Sequence, residues 1–340
     1  MRILLKGFVA DGINEPSRRS VLIENDTVVT VQKDISGSCA ADKTFSFKDE
    51  IIAPGFIDVH GHSDLSLAAN PAGESKRLQG ITTEITGNCG LSAFPVTSMN
   101  REQLNDLYAN YGIDISWNDS NGYRQMLASH QVKLRTFSLC GHNTLRAAVA
   151  GYEKKELSGK EVQQMQELLR NELACGSPGL STGLLYTPGC FAAPEEITAL
   201  MRILAQYNAV YATHLRSEGD NLLESLTETL ECARSAGLKK VEISHFKTAG
   251  TGNWHKLDAA LELMNDYRNQ NIDVRFDRYP YTESQTMLSV ILPPPFDTMP
   301  DRDITIAMQD EKAVQEAIAS LTGRSESDWS RWRLTGTTPP

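Results

Sequence analysis

Ala53-Pro54-Gly55-Phe56-Ile57-Asp58-Val59-His60-Gly61-His62-Ser63-Asp64 is the stretch that decides how this chain is read. The run from Ile51 to Val59 reads as a buried strand, and it ends in two histidines two residues apart. Residues i and i+2 on an extended chain point to the same face. His60 and His62 can therefore aim both imidazoles at one point just beyond the strand. An HxH pair alone is a weak signal. Here an apolar run and a Pro-Gly precede it, Asp58 and Asp64 flank it, and two more histidines close similar runs later. A metal site at a strand end accounts for the whole pattern.

Working outward, the chain changes rhythm at residue 51. Before it, Ile3-Leu4-Leu5, Ser20-Val21-Leu22-Ile23 and Thr27-Val28-Val29-Thr30-Val31 read as short strands, separated by turn signals at Asp11-Gly12 and Asn25-Asp26. Residues 1–50 are expected to form a small β subdomain. After it, strands are expected at 51–59, 81–86, 134–140, 179–183, 209–213, 240–244 and 272–276. Helical patterns lie between them. Leu157 to Cys175 carries a Ser158-Gly-Lys-Glu161 capping box and apolar residues at Val162, Met165, Leu168, Leu169 and Leu173. Pro194 to Tyr207, Leu222 to Ala236 and Leu257 to Asn269 read the same way. Strands alternating with helices imply an α/β fold of parallel βαβ units. Seven such strands in a row point to a (β/α)8 TIM-type barrel over residues 51–340 rather than an open sheet. No GxGxxG fingerprint follows the first strand, and there is no P-loop motif.

In a β/α barrel the chemistry gathers where the strands end at their C-terminal side. Metal-binding side chains fall at four such ends: His60 and His62, then Cys89, then His214, then His245. Cys89 sits in the glycine-flanked turn Thr86-Gly-Asn-Cys-Gly90, which lets the backbone bend towards the barrel mouth. A single buried cysteine or histidine is usually structural; four strand ends on one rim, all carrying nitrogen or sulfur donors, are a ligand set. Mixed histidine and cysteine ligands favour Zn²⁺ over Mg²⁺ or Ca²⁺. Zinc lowers the pKa of a coordinated water to about 7. His130 and His255 read as surface residues, and Cys175, Cys190 and Cys232 as structural.

The 340 residues carry a formal net charge of −10, with 40% hydrophobic and 22% charged residues. That is the composition of a globular protein. The charge has the wrong sign for a nucleic-acid or anionic-membrane partner. Six scattered cysteines without a CxxC imply reduced thiols. The N-terminus lacks a signal-peptide core and no run is long enough to span a bilayer, so the cytoplasm is expected.

The chain resembles the N-acyl-D-amino-acid deacylases of the amidohydrolase superfamily. The resemblance is carried by residues 53–64, by Gly80-Ile-Thr-Thr-Glu-Ile-Thr-Gly-Asn-Cys-Gly-Leu-Ser92 and by Gly141-His-Asn-Thr-Leu-Arg146. It continues through Gly179-Leu-Ser-Thr-Gly-Leu-Leu-Tyr-Thr-Pro-Gly189, Thr213-His-Leu-Arg-Ser-Glu218, Ser244-His-Phe-Lys247 and Asp277-Arg-Tyr-Pro-Tyr-Thr282. These segments run in family order over nearly the whole chain. Most of the superfamily bridges its metals with a carboxylated lysine, whereas this branch uses a cysteine. The resemblance implies that Cys89, His214 and His245 hold a tight zinc, with His60 and His62 at a second, weaker position. It implies that Lys247, Tyr186, Tyr279 and Ser284 line the substrate pocket, Lys247 pairing with the substrate carboxylate. The implied reaction is hydrolysis of an N-acyl-D-amino acid to a carboxylate and a free D-amino acid.

The family also places an essential aspartate after the eighth strand, as general base and then acid. That segment would follow Trp329-Ser-Arg-Trp-Arg-Leu-Thr-Gly336, and the sequence stops at Pro340. The last βα unit and the returning strands of the β subdomain are expected to be missing, leaving activity impaired. Asp277 follows the seventh strand and is not a positional substitute. Two other readings remain at this point. One is hydrolysis of a cyclic amide such as a hydantoin or dihydroorotate, which Cys89 speaks against. The other is a catalytically dead remnant that binds a metal or a partner.

Overall fold

The computed structural model describes residues 1–33, 41–64, 66–109, 111–287 and 301–321, with single positions at 290, 292, 296 and 299. Cys39 and the 329–336 segment lie outside the described residues. Two compact units are present. The first comprises Met1–Ile57 and Ser75–Thr83, the second Asp58–Glu74 and Glu84–Pro340.

The first unit is built on β1 (Arg2–Val9), β2 (Ser17–Glu24), β3 (Thr27–Gln32) and β4 (Lys43–Ile52). The sheet order is β3-β2-β1-β4. β1 lies antiparallel to β2, with Leu4 opposite Leu22, and parallel to β4. Asn25 turns the β2–β3 hairpin at φ +54°, a left-handed position that asparagine tolerates. Leu4, Val9, Val21 and Leu22 are buried and give the sheet its apolar face.

The expected buried strand at 51–59 is not continuous. β4 ends at Ile52, and β5 covers only Phe56–Asp58. Pro54 has no N–H to offer a ladder, so pairing stops and restarts beyond it. Phe56 N–H then donates to Gly80 O at 2.9 Å. Nor are these side chains buried: Ile51, Phe56 and Ile57 are 65%, 59% and 61% exposed.

Strand and helix alternate from there. After β5 come α1 (Glu74–Arg77), β6 (Ile81–Thr86), α2 (Arg101–Ala109), α3 (Ser120–Ser129), β7 (Arg135–Ser138), β8 (Cys140–Gly141) and α4 (His142–Ala150). Then follow α5 (Gly159–Ala174), β9 (Gly179–Gly183), α6 (Pro194–Gln206), β10 (Val210–His214), α7 (Leu222–Ala236), β11 (Lys240–Ile243), α8 (Leu257–Asn269) and β12 (Asp273–Phe276). Short helices α9 (Asp301–Ala307) and α10 (Glu311–Leu321) come last.

β8 to β12 form one parallel sheet in chain order, and β5, β6 and β7 a second. One row across the larger sheet reads Cys140, Leu180, Tyr211, Val241 and Val274. All five side chains are buried. α4 through α8 pack each against the next in sequence. This is the α/β architecture expected from the sequence. Among the described residues no strand pairing closes the two sheets into a ring. The C-terminal ends of the outermost strands nevertheless meet: His60 Nδ1, just after β5, lies 3.0 Å from Asp277 Oδ2, just after β12. No helix among the described residues is long and apolar enough to cross a membrane.

Candidate metal centre

Every donor in the cluster follows the C-terminal end of a parallel strand. His60 is two residues beyond β5, Cys89 three beyond β6, His214 closes β10 and His245 is two beyond β11. Two of these residues sit in backbone that L-residues seldom adopt: Cys89 at φ +53° and His245 at φ +37°. Such positions persist only where the surroundings enforce them, and they concentrate at functional sites. The turn around Cys89 needs its glycines. A Cβ on Gly87 would strike the backbone of Leu139, and one on Gly90 would strike Asn143. The Thr-Gly-Asn-Cys-Gly sequence therefore presses Cys89 against neighbouring strands rather than into a loose loop.

The structure brings His60, Cys89 and His245 together. Cys89 Sγ lies 3.4 Å from Nε2 of each of the two histidines. Burial pushes the Cys89 thiol up, so without a cation it keeps its proton. A second triple, His214, Glu218 and His245, shares the last histidine. His214 and His245 rings meet edge to face at 4.4 Å between centroids.

His214 is the most telling member. It is 5% exposed, and neither ring nitrogen has a hydrogen-bond partner. Burial lowers its pKa to about 3, so the imidazole is neutral. A buried polar ring without partners is costly unless something else takes its lone pair. A neutral imidazole is also the form a metal requires. These residues fit a metal with affinity for nitrogen and sulfur.

His62 stands apart. It is exposed, its ring packs against that of His60 at 5.3 Å, and it belongs to neither triple. β5 ends at Asp58, so residues 60 and 62 do not continue its alternation.

Two acidic residues that the sequence reading left out of the ligand set organise the cluster. Glu218 Oε1 lies 2.7 Å from His245 Nδ1 and accepts from Lys247 Nζ at 2.5 Å. Burial pushes its pKa up, but the bond with His245 and the charge of Lys247 outweigh that and hold it at about 2. Asp277 accepts from the His245 backbone N–H at 2.6 Å through Oδ1 and bonds His60 Nδ1 through Oδ2. A signal existed for each. Glu218 is four residues past His214, and Asp277 occupies the strand-end position that His214 and His245 occupy on neighbouring strands.

The residues expected to line a substrate pocket are distributed unevenly. Tyr186 is buried, packs edge-on against His214 at 4.9 Å, and its hydroxyl is 3.0 Å from Thr286 Oγ1. Lys247 is half-buried and held by Glu218 and by His245 O at 3.0 Å. Its ammonium stands 5.8 Å from the centre of the Tyr279 ring. Ser284 is exposed, in the stretch after β12. His130 and His255 are exposed, as expected.

The chain is 33% identical over 319 residues to an N-acyl-D-glutamate deacylase of Alcaligenes xylosoxydans xylosoxydans, covering 94% of this chain and 64% of that protein. It is similar to the crystal structure of N-acyl-D-glutamate deacylase from Bordetella bronchiseptica complexed with zinc and a phosphonate inhibitor that mimics the tetrahedral intermediate. There the TM-score is 0.75 and the identity 30%, over 82% of this chain and 58% of that one. Crystal structures of D-aminoacylase, a novel subset of amidohydrolases, match with the same TM-score and coverage at 33% identity. One concerns the binuclear metal centre of that enzyme, and another holds a D-aminoacylase mutant in complex with copper chloride. No family model matches the chain. The chain spans about 60% of the length of the relatives it matches.

Proposed function

This chain is a homologue of the N-acyl-D-amino-acid deacylases of the amidohydrolase superfamily, and from that kinship we propose that it carries the metal centre of a hydrolase for N-acyl-D-amino acids. The products would be a carboxylate and a free D-amino acid. The observation that carries this reading is the donor set itself. A thiol and two imidazole Nε2 atoms converge at 3.4 Å, beside a buried histidine whose two ring nitrogens make no hydrogen bond.

Cys89, His214 and His245 would hold the tighter metal, and His60 with His62 would serve a second. We take the metal to be zinc, because the donors mix nitrogen and sulfur. When bound, it supplies a Lewis acid for the acyl oxygen and makes water a nucleophile near neutral pH. The chain's own residues do the rest. Glu218 holds His245 by Nδ1. Tyr186 walls the centre beside His214. Lys247, Tyr279 and Ser284 would meet the rest of the substrate, Lys247 turning from Glu218 to the substrate carboxylate or being shared between the two. We further assign residues 1–50 to a β subdomain, residues 51–340 to the catalytic unit, and the protein to the reducing cytoplasm.

One observation favours a second reading, a centre that binds metal without turnover. Among the described residues, the two carboxylates that bond the ring nitrogens of the cluster are both already engaged by those imidazoles and by N–H donors. Neither is left to move a proton. The deciding experiment is release of free amino acid from N-acetyl-D- and N-acetyl-L-methionine, with and without added zinc. Zinc-dependent release from the D-isomer that vanishes in Cys89→Ala supports the deacylase. Stoichiometric zinc binding with no release supports the second reading. Release unaffected by Cys89→Ala would sink both.

A further inference from the structure

We propose that Asp277 is a positioning residue that sets the tautomer of His60 and anchors the strained turn at His245. The inference rests on the metal-centre reading above. Asp277 immediately follows β12, and its side chain is 11% exposed. Oδ2 lies 3.0 Å from His60 Nδ1, and Oδ1 accepts from the His245 N–H at 2.6 Å.

The consequence follows from what a carboxylate can do. Ionised, it only accepts hydrogen bonds. The proton shared with His60 therefore sits on Nδ1, and Nε2 keeps its lone pair. Nε2 is the atom that faces Cys89 Sγ. Glu218 stands behind His245 from the other side, its Oε1 2.7 Å from Nδ1, while Nε2 faces the same sulfur. Carboxylates behind metal-binding histidines fix tautomer and ring direction in this way, and losing one typically lowers metal affinity 10- to 100-fold. Asp277 has a second task. His245 lies at φ +37°, a region glycine enters freely but a residue with a Cβ holds only under strain, so an external hold is needed. The short bond from its N–H to Oδ1 supplies that hold. One side chain, at the end of β12, thus ties together two metal-facing histidines that follow β5 and β11.

The isosteric amide separates this role from mere packing. Asparagine offers one acceptor and one donor group. If its oxygen takes the His245 N–H, its NH2 faces His60 Nδ1. The ring proton must then move to Nε2 and cover the lone pair. If the amide is reversed, the His245 N–H confronts a donor. Neither orientation reproduces aspartate.

The test uses the full chain labelled with 15N-histidine and free of metal. Ring nitrogen shifts report which nitrogen carries the proton, and His60→Gln identifies the signal. The wild type is expected to show His60 protonated at Nδ1, and Asp277→Asn to show it at Nε2. Cobalt(II) affinity, measured by chelator competition, is expected to fall about 10- to 100-fold in Asp277→Asn. Should the amide variant not fold, Asp277→Ala is expected to give mixed tautomers and a similar loss of affinity. A folded variant with an unchanged tautomer and unchanged cobalt affinity overturns the proposal. A wild type that takes up no cobalt overturns the metal reading instead, and the tautomer measurement still decides the role of Asp277.

Discussion

At the scale of single residues, His214 poses the sharpest question. A buried imidazole without partners is a burden on the metal-free fold, of roughly 1–3 kcal/mol for an unsatisfied polar group. Its retention makes sense if a cation relieves it. His214→Leu is therefore expected to leave the metal-free protein at least as stable as the wild type, while metal binding falls below detection. Denaturant melts of the apo forms and a cobalt titration measure both effects. A variant that is much less stable without metal would show that His214 supports the fold by its packing. Cys89→Ser is the companion case. Its hydroxyl keeps the volume but is a poor ligand for a soft cation, so metal affinity is expected to drop while the fold persists. Cys89 was legible in the sequence because glycines flank it. Glu218 and Asp277 were not placed in the site, because their value lies in partners far along the chain. His60 and Asp277 are separated by 217 positions.

At the scale of elements, the helices follow directly from local pattern. α7 and α8 have the boundaries that apolar spacing implied, Leu222–Ala236 and Leu257–Asn269. α5 starts at its capping box: the Ser158 hydroxyl accepts from Glu161 N–H, and the Glu161 carboxylate accepts from Ser158 N–H. Ser158→Ala is expected to cost about 1 kcal/mol in a denaturant melt. The link between α4 and α6 is stronger. Glu196 lies 2.8 Å from His142 Nε2 and 3.2 Å from Arg146 Nε, with both partners fully buried. Removing one member of a buried ionic group strands the others. Glu196→Ala is expected to cost about 3–5 kcal/mol, and a loss near zero would mean that water reaches Arg146. The 51–59 strand was misjudged because a proline in an apolar run was weighed too lightly against hydrophobicity; the expected strand at 134–140 divides into β7 and β8 in different sheets, and β4 was not read from the sequence.

At the scale of the whole molecule, two responses are expected. Zinc should raise the melting temperature, because a ligand that binds only the folded state stabilises it in proportion to the logarithm of its concentration. A chelator should reverse the rise, and Cys89→Ser should abolish it. The second response is to acid. Burial pushes Glu196 up, but the bonds and charges of His142 and Arg146 outweigh that and hold it below the usual glutamate range. A carboxylate with a depressed folded pKa stabilises above its unfolded value and loses that contribution as pH falls through the folded one. Stability should therefore decline below the ordinary glutamate pKa, and the decline should be shallower in Glu196→Gln.

What the sequence alone determined were the local facts. Hydrophobic period, caps and glycine turns placed the strands and helices. They also put nitrogen and sulfur donors at the strand ends, because those features depend on neighbours a few residues away. Tertiary structure decided what each donor can do. It turned two imidazoles towards one thiol, left both ring nitrogens of His214 without a hydrogen bond and tied Lys247 to Glu218. Each outcome is a matter of hydrogen-bond direction between groups many residues apart. Direction is a property of assembled strands rather than of any segment, so no local pattern carries it.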